Sequence, residues 1–158
     1  MVGKSTVPVG TAERVSARIA DIAPVGADAV LVWSPEFLRE GYAIEDTLSP
    51  ARLVFGLPDS PRAETALETM RSLYSEAIRA GAPVVVADLA TAQLTKVAAN
   101  SFLATKISFI NAMAEVCEAT GGDVTLLSKA LSYDTRIGGR FLHAGLGFGG
   151  GCLPKDIR

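Results

Sequence analysis

The chain has 158 residues, of which 49% are hydrophobic and 20% are charged, and its formal net charge is -2. This composition is typical of a globular protein with one domain or slightly more and a core of ordinary size. Fifteen Lys and Arg against seventeen Asp and Glu leave no basic excess to attract a nucleic acid or an anionic membrane.

Residues 1–88 alternate between helical and extended patterns. Apolar residues at helical spacing predict a helix over 11–22, with Val15, Ile19 and Ile22 on its buried face. Short apolar runs predict buried strands, and a second helix ends at Gly81. The runs cover 29–33, 52–57 and 83–87, and the second helix covers 61–79 with Ala66, Met70, Leu73, Ala77 and Ile78 on one side. This order favours an α/β domain whose sheet is buried on both faces.

A much longer helix is predicted over residues 89–120, which contain neither Pro nor Gly. A helix of about 30 residues is roughly 45 Å long, which is typical of a helix that crosses between domains or subunits. Gly121 and Gly122 end it, and Asp123 opens a shorter helix that ends near Leu131.

A glycine-rich loop follows, and seven of the fifteen glycines lie between Gly138 and Gly151. Residues 145–150 match the dinucleotide pattern G-x-G-x-x-G, but a helix and not a strand precedes them, so we do not interpret them as a dinucleotide cradle. Cys152 follows three glycines and precedes Lys155, whose ammonium would favour the thiolate. Cys152 is therefore either a nucleophile or an inert loop thiol.

Cysteine and histidine content bears on redox state and metals. Cys117 is in register with the apolar face of the long helix, which indicates a core thiol. Two cysteines and one histidine, His143, make neither a disulfide framework nor a common zinc site. The start, MVGKSTVPVG, lacks the apolar segment of a secretion signal, so we predict a cytoplasmic protein without a membrane span or a metal site.

Several polar residues permit both a functional and a structural interpretation. Lys96 and Asn100, extended by Gln93, could form a row of donors for an oxyanion or sugar, or a solvated helix face. Glu36 and Glu40, at a predicted helix start after Pro35, could perform acid/base chemistry or complement the helix dipole. The remaining candidates are Thr6, which could orient water or cap a helix, and His143, which could be a plain loop residue.

Five stretches together carry a resemblance to a known family. They are KSTVPVGT at 4–11, SPEFLREGYAIED at 34–46, LTKVAANSFLATKISFINAMAEVCE at 94–118, YDTRIGGRFL at 133–142 and GLGFGGGCLPKD at 145–156. In this order they resemble the UDP-glucose dehydrogenases of the UDP-glucose/GDP-mannose dehydrogenase family, over essentially the whole chain. The resemblance implies an α/β fold in which 1–88 are the trailing part of a Rossmann-like NAD-binding domain.

The resemblance further implies that residues 89–158 open a central domain, in which the helix 89–120 forms a homodimer. Family members begin with a G-x-G-x-x-G unit upstream of STVPVGT and end with a second nucleotide-binding domain. We therefore expect this sequence to be an internal fragment, inactive by itself.

The activity implied is oxidation of UDP-glucose at C6 from alcohol to acid, with two NAD+ and no metal. Cys152 would trap the aldehyde as a thiohemiacetal and then form a thioester. Lys96 and Asn100 would stabilise the oxyanion, while Asp156, Glu36 and Thr6 would handle protons and water. Thr6, Glu40 and Lys155 would contact NAD.

The substrate is implied to contact two loops and the partner subunit. The residues are Glu36, Phe37, Leu38, Arg39, Lys96, Asn100, Arg136, His143, Gly145, Gly147, Phe148 and Gly149, with Arg136 reaching the partner's substrate. Gln93 replaces a common Glu and Gly151 a common Ser, which leaves a charged role at 93 in doubt. GDP-mannose or another UDP-hexose as substrate, and a non-catalytic dimerisation module, stay open as alternatives.

Overall fold

The computed structural model describes residues 1–149, 151, 153 and 154. The chain divides into two compact units, Met1–Lys96 and Val97–Arg158. The long helix begins in the first unit and continues into the second. The division of the domains after residue 88 stays a prediction.

The first unit contains a four-stranded mixed sheet with the order β1-β2-β3-β4. β1 is parallel to β2, β2 is antiparallel to β3, and β3 is parallel to β4. The strands are β1 Val2–Gly3, β2 Val32–Trp33, β3 Leu53–Leu57 and β4 Val84–Asp88, and the helices are α1 Thr11–Ile22, α2 Ala43–Leu48, α3 Ala63–Leu73 and α4 Ser75–Arg79, with a 3-10 turn at Gly26–Asp28. Each of the three predicted runs contains a strand, although the run predicted over 29–33 is a strand only at Val32–Trp33. The predicted bounds of α1 are confirmed.

Helices cover both faces of this sheet because successive strand residues point to opposite sides. Leu31, Trp33 and Val54 pack with Ala12 and Ile19 of α1 and with the first turn of the long helix. The other face buries Val32, Leu53, Phe55, Leu67, Met70 and Ala77. The predicted α/β layering is therefore confirmed around β2 and β3.

Burial at the edge of the sheet differs from the prediction. Val85 and Val86 of β4 are 49% and 45% exposed, so burial on both faces is wrong for this strand. The reason is its place at the sheet edge, where β3 is its neighbour and the apolar clusters centre on β2 and β3.

Two helices also differ from their predicted faces. The helix predicted over 61–79 is interrupted at Tyr74, whose ring packs near Phe55 and whose hydroxyl accepts a hydrogen bond from Lys4 Nζ. Leu73, predicted on the buried side, is exposed, whereas Leu67 lies in the core. On α1, Val15 and Ile22 are exposed, and Ala12 joins Ile19 as the buried pair.

The long helix, α5, spans Leu89–Thr120 as predicted. Asp88 caps it by accepting hydrogen bonds from the Thr91 backbone N–H at 2.7 Å and from Thr91 Oγ1 at 2.8 Å, and these bonds lower the pKa of the Asp88 carboxyl. Its first turns lie close to the sheet at Gly56, where an added Cβ would come within 2.5 Å of the Ala92 Cβ. Only glycine permits this approach.

The second unit consists of the rest of α5, the helix α6 at Val124–Ser132 and an irregular segment after it. Gly121, at a φ of 75°, ends α5, and Asp123 caps α6 through the backbone N–H groups of Thr125 and Leu126. The predicted short helix is confirmed. Within the described part of the chain, no helix is both long enough and apolar enough to cross a bilayer.

Candidate active site

Several of the predicted site residues lie in the loops at the carboxyl edge of β1 and β2. The two strands are parallel, so the chain leaves both of them at the same edge of the sheet. Thr6 lies in the loop between β1 and α1, as predicted, and residues 34–42 form the loop after β2. In open α/β sheets, ligands bind at the carboxyl edge of the strands.

Glu36 and Lys96 meet at this edge. Lys96 Nζ lies 3.6 Å from Glu36 Oε1, and the Lys96 side chain is only 12% exposed while that of Glu36 is 36% exposed. The other Glu36 oxygen accepts a hydrogen bond from the Leu38 backbone N–H at 2.7 Å, which fixes the carboxylate. A carboxylate can take a proton, and the adjacent ammonium can stabilise an anion formed at the same place.

The ring of Phe37 completes this cluster, together with Arg52, a residue that the sequence analysis did not identify. Lys96 Nζ lies 5.5 Å from the centre of the Phe37 ring, and the Arg52 guanidinium carbon lies 3.7 Å from it. Both cations are attracted to the ring. Position 52 was interpreted only as the start of a strand, and nothing in its local pattern distinguishes it from a surface arginine.

The rest of the loop after β2 is held by an internal ion pair. Arg39 contacts the Asp46 carboxylate through Nη2 at 2.6 Å and Nε at 3.0 Å, and its backbone N–H donates to the same group. These bonds lower the pKa of Asp46 and raise that of Arg39. A helix start after Pro35 is wrong because the loop extends through Gly41, at a φ of 83°, and α2 begins only at Ala43. Glu40 is exposed in this loop.

Gln93 has a different role from the predicted one. Its side chain is 1% exposed, so it does not extend a donor face that a ligand could reach. Gln93 Oε1 accepts from the Ala12 backbone N–H at 3.0 Å, and Nε2 donates to Glu13 Oε2 and to the Leu89 carbonyl. Because Gly10 supplies no side-chain cap to α1, Gln93 caps that helix from α5.

Asn100 and Arg136 belong to the second unit. Asn100 is half-buried on α5, four residues after Lys96. Arg136 is 87% exposed and binds its neighbour Asp134, with Nη2–Oδ2 at 2.5 Å and Nε–Oδ1 at 2.9 Å. This pairing lowers the pKa of Asp134 and raises that of Arg136.

The glycine loop is held by side chains that sequence reasoning did not single out. The Gly145 backbone N–H donates to Asn111 Oδ1 at 2.8 Å, and Lys106 Nζ donates to the Ile137 carbonyl at 2.9 Å. His143, Gly147 and Gly149 are exposed and Phe148 is half-buried. The predicted Cys152, Lys155 and Asp156 lie outside the described residues. Among the residues that are described, no three His, Cys, Asp or Glu side chains are grouped to hold a metal ion.

The chain is similar to several known dehydrogenases over nearly its whole length. It is 48% identical over 157 residues to the UDP-glucose 6-dehydrogenase of Rickettsia felis, covering 99% of this chain and 34% of that one. A UDP-glucose dehydrogenase structure from Pyrobaculum islandicum matches with a TM-score of 0.85 and 40% identity, covering 98% of this chain and 34% of that one.

A more distant structural match is a GDP-mannose dehydrogenase from Pseudomonas aeruginosa, with a TM-score of 0.74 and 28% identity over 99% of this chain and 35% of that one. The chain thus spans about a third of the length of the curated relatives it matches.

Two domain models of one family divide the chain between them. The NAD binding domain of the UDP-glucose/GDP-mannose dehydrogenase family matches residues 1–78, and the central domain of the same family matches residues 90–158. Together they leave only short stretches unmatched. The chain therefore belongs to the UDP-glucose/GDP-mannose dehydrogenase family.

Proposed function

We propose that these residues are part of an NAD-dependent UDP-glucose 6-dehydrogenase, which oxidises the C6 alcohol of UDP-glucose to the acid of UDP-glucuronate. The observation that carries the proposal is the Glu36–Lys96 pair beside Phe37, at the carboxyl edge of a nucleotide-binding type of sheet. Among the solved structures, the identity of 40% to a UDP-glucose dehydrogenase, against 28% to a GDP-mannose dehydrogenase, favours UDP-glucose over GDP-mannose.

The first step removes a hydride from C6 and a proton from its hydroxyl, giving an aldehyde. NAD+ supplies the hydride acceptor when it is bound. Thr6 and Glu40 follow the two parallel strands at one edge and fit a cofactor there, and Lys155 joins them by resemblance. Glu36 receives the hydroxyl proton, directly or through a water that Thr6 orients.

The second step uses the Cys152 thiolate. Its sulfur adds to the aldehyde carbon, and Lys96 and Asn100 stabilise the oxygen anion until it takes a proton as a thiohemiacetal. With NAD+ bound as the acceptor of a second hydride, the thiohemiacetal would lose that hydride and its hydroxyl proton and so become a thioester on Cys152. Water, deprotonated by Asp156 or Glu36, cleaves the C–S bond to give the carboxylate and returns the thiolate.

We infer that the 158 residues alone do not turn over substrate. Within them, G-x-G-x-x-G occurs only at 145–150, after a helical segment and not after a strand, so no pyrophosphate cradle is available. As an isolated chain, the polypeptide would be a dimerisation and substrate-loop module.

We further propose a homodimer formed through α5. Phe102, Phe109 and Val116 follow one another at intervals of seven residues and are 66%, 48% and 50% exposed. Thr105 and Ala112, both exposed, complete a heptad seam between them. A second copy of the helix is the partner that this self-complementary stripe fits best. The low cysteine content supports a cytoplasmic location.

The full-length gene product tests the activity directly. With UDP-glucose we expect two NADH per UDP-glucuronate formed, and with GDP-mannose little or none. Lys96→Ala should lower kcat by about 10²–10³-fold because it removes a charged stabiliser of the oxyanion, and Cys152→Ser should abolish formation of the acid. Lys129→Ala, an exposed lysine on α6, is the matched control and should keep full activity. Turnover with GDP-mannose alone would overturn the substrate assignment.

A further inference from the structure

Residues 137–145, which follow α6 and include the first part of the glycine-rich loop, are hydrogen-bonded to the two helices of the second unit. Lys106 Nζ, on α5, donates to the carbonyls of Ile137 at 2.9 Å and Gly138 at 3.2 Å. Ser128 Oγ, on α6, donates to the Leu142 carbonyl. Asn111 Oδ1, again on α5, accepts from the Gly145 backbone N–H at 2.8 Å. The three side chains therefore hold the start, the middle and the end of one segment, which we call the tethered segment.

Lys106 binds the backbone and not a carboxylate. Its ammonium is directed at two backbone carbonyls, and among the described residues it has no carboxylate within ion-pair distance. The Lys106 side chain is half-buried, and a hydrogen bond from a charged donor is stronger than one between neutral groups. One ammonium that donates to two successive carbonyls therefore restrains the backbone at Ile137 and Gly138.

Backbone strain in the same segment is an independent observation. Phe141 has a φ of 65°, and it is the one non-glycine residue with a positive φ in the described part of the chain. An aromatic side chain disfavours this conformation, which persists only where the surroundings enforce it. The next residue, Leu142, is 2% exposed and its carbonyl is the acceptor for Ser128, so the strain lies beside the central fastening point.

The end of the tethered segment and the two residues after it are exposed. Residues 143–147 are all exposed, and Leu146 is fully so. Glycines at 145 and 147 leave the backbone open to close approach by a ligand. A segment that is fixed behind such a stretch presents its peptide groups in one orientation.

We propose that Lys106, Asn111 and Ser128 are positioning residues, which hold the tethered segment in its ligand-binding shape before the nucleotide sugar arrives. This proposal rests on the proposed function, because the ligand is taken to be UDP-glucose. A loop that is already ordered loses less conformational entropy on binding, so the tethers act on affinity for the sugar nucleotide and not on affinity for NAD.

The decisive experiment compares Asn111→Leu with Asn111→Asp in the full-length gene product. Asp keeps an oxygen acceptor for the Gly145 N–H, whereas Leu has none. Calorimetry should show the Kd for UDP-glucose raised about tenfold or more in Asn111→Leu and changed by less than about threefold in Asn111→Asp. The Kd for NAD should be equal in both variants, and Lys106→Met against Lys106→Arg should repeat this pattern.

A second measurement separates the tether from the identity of the ligand. Amide hydrogen exchange at Gly145, measured in the same proteins, should be faster in Asn111→Leu than in the wild type and unchanged in Asn111→Asp. If UDP-glucose binds equally to wild type and Asn111→Leu, or if Asp is as damaging as Leu, the positioning role is wrong. If the wild type binds no UDP-glucose, the proposed function is wrong. The tether is tested separately, because exchange at Gly145 that is equal in Asn111→Leu and the wild type would reject it.

Discussion

The two compact units bury their apolar residues to very different extents. Among the described residues, the sheet unit holds thirteen of the sixteen buried apolar residues, and the helical unit holds only Ala104, Ile110 and Leu142. Both units expose large apolar side chains, but in the helical unit three of them, Phe102, Phe109 and Val116, lie on one stripe of α5. The first unit therefore has a core of its own, whereas we propose that the second is completed by another copy of the chain.

The largest expected effect is on association. Replacing Phe102 and Phe109 together by Asp puts two charges into the proposed seam, and we expect the dimer dissociation constant to rise by about 100-fold or more. Sedimentation of the full-length gene product over a concentration series would measure it. Val15→Asp, at an apolar position on α1 that is 39% exposed, is the matched control and should remain dimeric. An unchanged dimer in the double variant would refute the seam.

A smaller effect should be confined to the first unit. Gln93→Leu leaves the buried Ala12 N–H without its acceptor, so we expect the free energy of unfolding to fall by about 2–3 kcal/mol. Trp33 is the only tryptophan and is buried in this unit, so its fluorescence during urea denaturation reports the change.

Gln93→Glu separates hydrogen bonding from charge in this cap. It keeps the acceptor for Ala12 but puts a second carboxylate beside Glu13, which lies 3.0 Å from Gln93 Nε2. The two carboxylates would repel each other, so this variant should regain stability as the pH falls and the pair binds a proton. Gln93→Leu carries no added carboxylate, so it should not regain stability as the pH falls. Equal stability of Gln93→Leu and the wild type would contradict the capping role.

The smallest effect should be found in the second unit, at Phe141. Phe141→Ala and Phe141→Gly both remove the ring, but only glycine adopts a φ of 65° without a steric penalty. We expect the glycine variant to be more stable than the alanine variant by about 1 kcal/mol. Thermal unfolding followed by far-ultraviolet circular dichroism gives the difference. Alanine as stable as glycine would mean that the backbone at this position is relaxed.

Sequence patterns predicted the regular elements better than their surroundings. The bounds of α1 and α5 and the cap at Asp123 follow from local signals such as apolar spacing, glycine and acidic residues. The faces were less predictable, since Val15 and Leu73 occupy helical positions that only the tertiary packing leaves exposed. At the break in the second helix, Tyr74 contacts Phe55 and Lys4, which are 19 and 70 positions away, so no local pattern reveals these contacts.

For the candidate site, spacing singled out Lys96 and Glu36 but left a structural interpretation open, and the resemblance supplied the functional one. Lys96 and Glu36 were identified separately, and their separation of 3.6 Å depends on how α5 packs against the sheet. Arg52, Lys106 and Asn111 were missed because each acts on a residue far away in the sequence. Gln93 was assigned to the wrong environment, because helical periodicity does not reveal that its turn of α5 covers the start of α1.

The Arg39–Asp46 pair has a consequence for how acidity acts on the protein. Because Arg39 lowers the pKa of Asp46, this carboxyl stays ionised until the pH falls below the ordinary pKa of an aspartate, about 3.9. The same holds for Asp134 beside Arg136. Both ion pairs therefore persist through neutral and mildly acidic solution. A bend in the pH profile of catalysis above about pH 5 would therefore not come from the loss of these two ion pairs.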